Sequence, residues 1–391
     1  MTLSTDRSNF SGRFVFIDGL RGVAALSVAI FHCFNHWVSP IHDQLAAVLP
    51  NWIQTILEHG DLGVEIFFVL SGFVIAHSLA DRTLNARFAG NFIVRRSLRL
   101  DPPYWVVLAF CMIWPYLVFP HKAVGMFNEF GGVSGMLVNM FYLPDLLWKP
   151  RILGVAWTLC LEVQFYLAYL ALMMILQFCL SRFRLRKSIR VGIAAVLFAP
   201  LAIYSLHRWF SINKNDFGGR WFMFFSGVVL YWTLRNRVPR AWLGLYLAVV
   251  IAFGLITREP RSIAIACTCL AIYASAMLGG LRTWLRWSPF QHLGRLSYSF
   301  YLVHMQVGVA TIAIVQKFGD GSTTSVFTAA GAALVASIIT AELLNRFVEV
   351  PAMNLSQRFK QSKPPQSKPR KQTVDAQSAA IDESPLALAA T

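Results

Sequence analysis

Mostly apolar stretches of roughly 17–25 residues recur along the chain, separated by short segments that collect its polar residues. Each stretch is long enough to cross about 30 Å of hydrocarbon as a helix. Ten occur, near residues 14–36, 62–80, 102–120, 153–179, 189–206, 218–234, 241–257, 262–279, 295–315 and 324–346. Lipid offers backbone groups no hydrogen-bond partners, so runs of this length are predicted to be helical. The pattern predicts an all-α, polytopic integral membrane protein with about ten transmembrane helices.

Charge orients the predicted helices, because Lys and Arg accumulate in cytoplasmic segments. With the N-terminus inside, 25 of the 35 Lys and Arg fall on the inner side and 9 on the outer side, and Arg21 lies within the first span. Both termini are thus expected to be cytoplasmic. The formal net charge of +16 follows mostly from this topology, so no nucleic-acid partner is expected. Composition agrees with a bilayer protein: 56% hydrophobic, 14% charged, with a mean hydropathy of +0.53, against about 25% charged in a soluble domain. The first residues, MTLSTDRSNFSG, lack the features of a cleaved signal peptide. The six cysteines all fall within predicted spans without metal-ligand spacing, so no disulfide, zinc or other metal is expected. The expected organisation is a cytoplasmic N-terminus over 1–13, a membrane domain over 14–353 and a disordered basic cytoplasmic tail over 354–391, whose lysines would rest on anionic lipid.

Against this apolar background a few ionisable residues stand out. An ionisable group at a helix centre costs about 2.5–3.5 kcal/mol on insertion scales, so each needs pairing or function. They are Asp18, Arg21 and His32 in the first span, Glu65 and His77 in the second, Glu162 in the fourth, His304 in the ninth and Glu342 in the tenth. Arg21 and His32 are eleven residues apart, which places them on one helix face about 16 Å apart. Asp18 either caps the inner end or pairs with Arg21. Imidazole is the side chain best suited to take a proton near neutral pH, and His32 is a candidate base; the alternative is an interhelical hydrogen bond. In the second span Gly60, Gly63, Gly72 and Ser71 suit close approach of helix backbones. Arg95, Arg96 and Arg99 cluster before the third span, where Pro102 and Pro103 are expected to restart the chain. The cluster is either a topology signal or an anion clamp, since guanidinium forks match phosphate oxygens. Tyr298, Tyr301 and His304 lie close together on the ninth span, with Ser297 on the face of His304.

Five blocks in this order carry a family resemblance: the Arg21/His32 stripe, GVEIFFVLSGF (63–73), RRSLRLDPPYW (95–105), WTLCLEVQFY (157–166) and LGRLSYSFYLVH (293–304). In them the chain resembles the acyltransferase 3 family of integral-membrane O-acyltransferases that modify sugars and exopolysaccharides. The resemblance covers about residues 14–353 and is to the stand-alone type, without an extracytoplasmic hydrolase domain. It implies an enzyme of a bacterial inner (cytoplasmic) membrane, with no bound cofactor. Acyl-CoA, most commonly acetyl-CoA, would be the co-substrate, and the acceptor a hydroxyl of a glycan or glycolipid at the outer face. In that scheme His32 is the general base and Arg21 assists at the donor end. Glu162, ahead of Glu65, orients the imidazole, and Ser71, Tyr298 or Tyr301 supplies a hydrogen bond to the oxyanion. No serine stands in a nucleophile elbow, which favours direct transfer over an acyl-enzyme. The competing reading is a transporter or flippase of a polyprenyl-linked sugar or small solute that uses the same buried charges as a gate. The sequence shows no repeated halves with matching broken helices to support it.

Overall fold

The computed structural model describes residues 14–118, 120–183, 187–211 and 217–359, and it is helical, with no strand among the described residues. The expected N-terminal segment 1–13, and residues 360–391 of the expected tail, lie outside the described residues. The helices in chain order are α1 (Val15–Phe34), α2 (His42–Val48), α3 (Asn51–Glu58), α4 (Gly63–Leu79) and α5 (Ala86–Val118). Then come α6 (Pro120–Glu129), α7 (Gly132–Met140), α8 (Trp157–Cys179), α9 (Lys187–Ser211) and α10 (Phe217–Leu234). The last five are α11 (Arg240–Thr257), α12 (Pro260–Met277), α13 (Ser288–Phe318), α14 (Thr323–Leu344) and α15 (Val350–Gln357). The tail boundary expected at 354 therefore falls inside a helix.

Eight helical stretches among the described residues are long and apolar enough to cross a membrane: Val15–Phe34, Asn51–Leu79, Gly154–Arg182, Ile189–Arg208, Arg240–Thr257, Pro260–Met277, Ser288–Phe318 and Thr323–Gln357. The other two of the ten expected spans are helical as well, but fall outside that set. One, in α10, carries Arg220; the other, in α5, carries Pro102, Pro103 and Pro115 and directly follows Asp101.

The expected restart at Pro102 and Pro103 does not occur, because α5 continues through both and through Pro115. Proline lacks an N–H, so the carbonyls four residues earlier, at Leu98 and Arg99, lose their helical donors. Neighbouring side chains knit this stretch together. Ser97 bonds Asp101, the Tyr142 hydroxyl donates to Asp101 at 2.7 Å, and the Tyr298 hydroxyl donates to the Leu100 carbonyl at 2.5 Å.

Small residues set the closest contacts, as expected for Gly60, Gly63 and Gly72. The helix pairs α1/α13 and α4/α10 pack together extensively. A Cβ at Gly294 would collide with the Asp18 backbone and one at Gly22 with the Phe290 carbonyl, so α1 and α13 meet backbone to backbone. Gly60 and Gly63 bring the start of α4 against Ser27 and Ala24 of α1 in the same way. Without such gaps, helices in lipid have little to drive their association. Phe68, Phe165, Trp221 and Phe224 fill the space between α4, α8 and α10.

Candidate active site

A cavity of about 880 Å³, its open mouth included, lies between α1, α4, α5, α8 and α13. Arg21, Arg96, Arg99 and Glu162 all line it, so three cations face one carboxylate there. The i, i+3 spacing of Arg96 and Arg99 on α5 turns both to one face. Arg95, adjacent to Arg96 in sequence, is not among the lining residues. Of the expected three-arginine cluster, the helix delivers two to the cavity, and Arg21 from α1 supplies a third guanidinium.

Three of these four charges, Arg21, Arg96 and Glu162, are held from the side. Arg21 Nε donates to Ser297 Oγ at 3.2 Å, which turns it to α13 rather than to the expected partner Asp18. Arg96 lies over the Tyr166 ring at 4.3 Å and donates to its hydroxyl at 3.3 Å; stacking of this kind holds a guanidinium without neutralising it. The Tyr166 hydroxyl in turn bonds Glu162, and Ser71 Oγ donates to the same Glu162 oxygen at 2.7 Å.

His32 stands further along the same face of α1. Its Nδ1 lies 2.9 Å from the Val28 carbonyl and 3.1 Å from Nε2 of His304 on α13. His304 is buried, with Nδ1 2.8 Å from the Tyr301 carbonyl. A carbonyl only accepts, so His304 Nδ1 carries a proton, and in the neutral ring its Nε2 is then an acceptor. His32 Nδ1 faces two acceptors and carries a proton too. The lone pair of neutral His32 is therefore on Nε2. Tyr301 joins the two regions: it lines the cavity, and its ring centroid is 5.5 Å from that of His304.

Neither carboxylate expected to orient His32 touches it. Glu162 is engaged by Ser71 and Tyr166. Glu65, buried on the first turn of α4, lies 3.2 Å from Arg261 Nε, and Arg261 Nη2 is 2.5 Å from Asp61. Two buried charged residues escaped the sequence reading. Arg220 places its guanidinium 4.2 Å over the Trp157 ring. Glu349 lies beyond the expected end of the tenth span, in a π-helical turn over Asn345–Glu349. It accepts from Ser299 at 2.6 Å and Asn345 at 2.9 Å, and Arg99 is among its charged neighbours. A carboxylate two residues before Pro351, where the apolar run ends, was the available signal. Among the described residues no group of three His, Cys, Asp or Glu is arranged to hold a metal ion.

The fold and this site define a polytopic membrane protein built around a net-basic cavity; neither His32 nor His304 lines that cavity, and the pair lies beside it, behind Tyr301. The acyltransferase 3 family, described as an acyltransferase domain, matches residues 14–342. The chain belongs to that family. Among curated proteins it is similar to YrhL of Bacillus subtilis (strain 168), 25% identical over 383 residues, covering 86% of this chain and 54% of YrhL. It thus spans about half of that relative's length. Acyltransferase MdmB of Streptomyces mycarofaciens is 27% identical over 383 residues, covering 87% of this chain and 91% of MdmB. Peptidoglycan O-acetyltransferase OatA of Listeria monocytogenes serovar 1/2a (strain ATCC BAA-679 / EGD-e) is 27% identical over 171 residues, covering 41% of this chain and 24% of OatA. No solved structure matches.

Proposed function

We propose that this membrane acyltransferase moves an acyl group, acetyl in the first instance, from acyl-CoA to a hydroxyl of a glycan or glycolipid, with His32 as general base. The observation that carries the reading is the position of Tyr301, which lines the cavity with Arg21, Arg96 and Arg99 and packs its ring against His304 of the His304–His32 pair. The relatives' names support the chemistry, since one is an acyltransferase and another acetylates the oxygen of a glycan. The excess of Lys and Arg on one side supports the direction. Donor would enter from the cytoplasmic side of the inner membrane and acceptor from the other, where the loop over 37–61 has no Lys or Arg.

In this reading the diphosphate of the donor is held by the guanidinium groups and its pantetheine arm lies along the cavity, which brings the thioester toward α13. His32 Nε2 takes the proton of the acceptor hydroxyl as its oxygen attacks the thioester carbonyl. The tetrahedral intermediate expels the coenzyme A sulfur, which leaves with the proton from the imidazolium. His304 acts as a positioning residue, fixing the imidazole ring through a second acceptor for Nδ1–H beside the Val28 carbonyl, which holds the tautomer that leaves Nε2 unprotonated.

Hydrogen-bond lengths choose among the three hydroxyls considered for the oxyanion. Tyr298 is committed to Leu100 at 2.5 Å and Ser71 to Glu162 at 2.7 Å. Tyr301 makes only a long 3.3 Å bond to the Val155 carbonyl and accepts from Thr158 at 2.9 Å. Its O–H is the one most readily redirected to a developing negative charge.

The test is an assay of purified protein given acetyl-CoA and a glycan acceptor, following free thiol and acetylated product together. Transfer is expected, with His32→Ala folded but slowed about 10²–10⁴-fold. Arg99→Gln is expected to raise the KM for acetyl-CoA by about tenfold while kcat holds. Full activity of His32→Ala would remove the histidine from the chemistry. Vectorial solute movement with no thiol release would replace the enzyme by the transporter.

A further inference from the structure

A second cavity, of about 1140 Å³, lies at the end of the molecule where α4, α8 and α10 finish and α9 begins. It shares no lining residue with the first cavity; α4 and α8 contribute side chains to both. Four arginines line it: Arg82, Arg190, Arg235 and Arg237. Two are compensated, since Arg235 and Arg237 lie 3.5 and 2.9 Å from Asp81. The other two have no carboxylate partner among the described residues. Arg190 has only a 3.3 Å bond to the Phe183 carbonyl, and its buried Nε has no acceptor there. The rest of the lining is largely apolar, with Leu79, Met173, Leu176 and Val191.

From this we infer a binding site for one anionic phospholipid of the inner leaflet, its phosphate on Arg82 and Arg190 and an acyl chain along the apolar wall. Three observations commit the site to lipid rather than to a soluble nucleotide. The cations stand at the end of the bundle that carries most of the Lys and Arg, hence at the level of anionic head groups. Guanidinium forks match phosphate oxygens bidentately. The helix faces beside the cavity expose Ile175 on α8, Phe178 one turn on and Ile189 on α9, which sets its flank against lipid tails rather than water. The inference stands independently of the transfer reaction proposed above, because none of these residues faces the first cavity.

The experiment reconstitutes the full chain in nanodiscs of phosphatidylcholine with and without phosphatidylglycerol, and counts retained lipid by native mass spectrometry. Wild type is expected to retain one phosphatidylglycerol preferentially and to melt at a higher temperature in its presence. Arg82→Gln/Arg190→Gln is expected to lose roughly tenfold in that preference while melting like wild type in phosphatidylcholine alone. Leu176→Trp, which fills the apolar wall and leaves the charges in place, provides a second test, with the same loss expected. Unchanged phosphatidylglycerol retention in both variants would overturn the inference. So would protection by free coenzyme A, and not by phosphatidylglycerol, that disappears in the double-arginine variant.

Discussion

Replacing His304 separates a positioning role from a chemical one, and the structure sets the expected size of the effect. His32 Nδ1 has two acceptors within reach, the Val28 carbonyl at 2.9 Å and His304 Nε2 at 3.1 Å. Removal of His304 leaves the carbonyl, so the productive tautomer survives and what is lost is one hydrogen bond that fixes the ring. Such a bond is worth about 0.5–1.5 kcal/mol net, or about 2- to 13-fold in rate. His304→Gln is therefore expected to lower kcat by about tenfold at most, with little change in the KM for acetyl-CoA. His32→Ala removes the base and is expected to lose about 10²–10⁴-fold. The assay is steady-state release of coenzyme A thiol, run across pH, with both variants and the double variant. Because His304 acts through His32, the double variant should be no slower than His32→Ala. A His304→Gln loss as large as that of His32→Ala, or a double variant far slower than either, would refute the assignment.

Two further predictions concern the scaffold. Gly294→Ala is expected to lower the melting temperature in detergent and reduce activity, at an overpacking cost of about 1–3 kcal/mol, because its methyl would strike the Asp18 backbone. Gly331→Ala on α14, where a Cβ has open space, is the control and should be neutral or slightly stabilising. Arg261→Ala leaves Glu65 and Asp61 without their shared cation and is expected to destabilise by about 3–5 kcal/mol. Adding Glu65→Gln should recover part of that loss, and an unshifted melting curve for Arg261→Ala would mean the cluster is solvated.

The helical membrane class was legible because span length is dictated by bilayer thickness and leaves a hydropathy signal in any one sequence. The inner half of α5 was not. Its arginines read as a loop, yet Arg96 is accommodated inside a helix by the Tyr166 ring, a contact between residues 70 positions apart. The same limit applies to the site. Arg21 and His32 stood out as polar residues on one apolar face, but periodicity within a helix carries no information about which other helix that face meets. Hence Ser297, 276 residues from Arg21, and His304, 272 residues from His32, could be noted without being joined to them. The carboxylates went the other way: the family resemblance implies a role beside the histidine for Glu162 or Glu65, whereas their polar contacts are with Ser71, Tyr166 and Arg261.

The glycine contact between α1 and α13 has a consequence for how such a protein can diversify. Because main chain meets main chain at Gly22 and Gly294, the spacing of the two helices there is set by backbone and not by the shape of side chains, and His32 and His304 project from that frame ten residues further along. Under the proposed reaction, loops at the acceptor end can then change length and composition to admit a different alcohol while the helix pair that carries the histidines stays in register. The seam itself tolerates no such drift, since a single added methyl would strike the facing main chain.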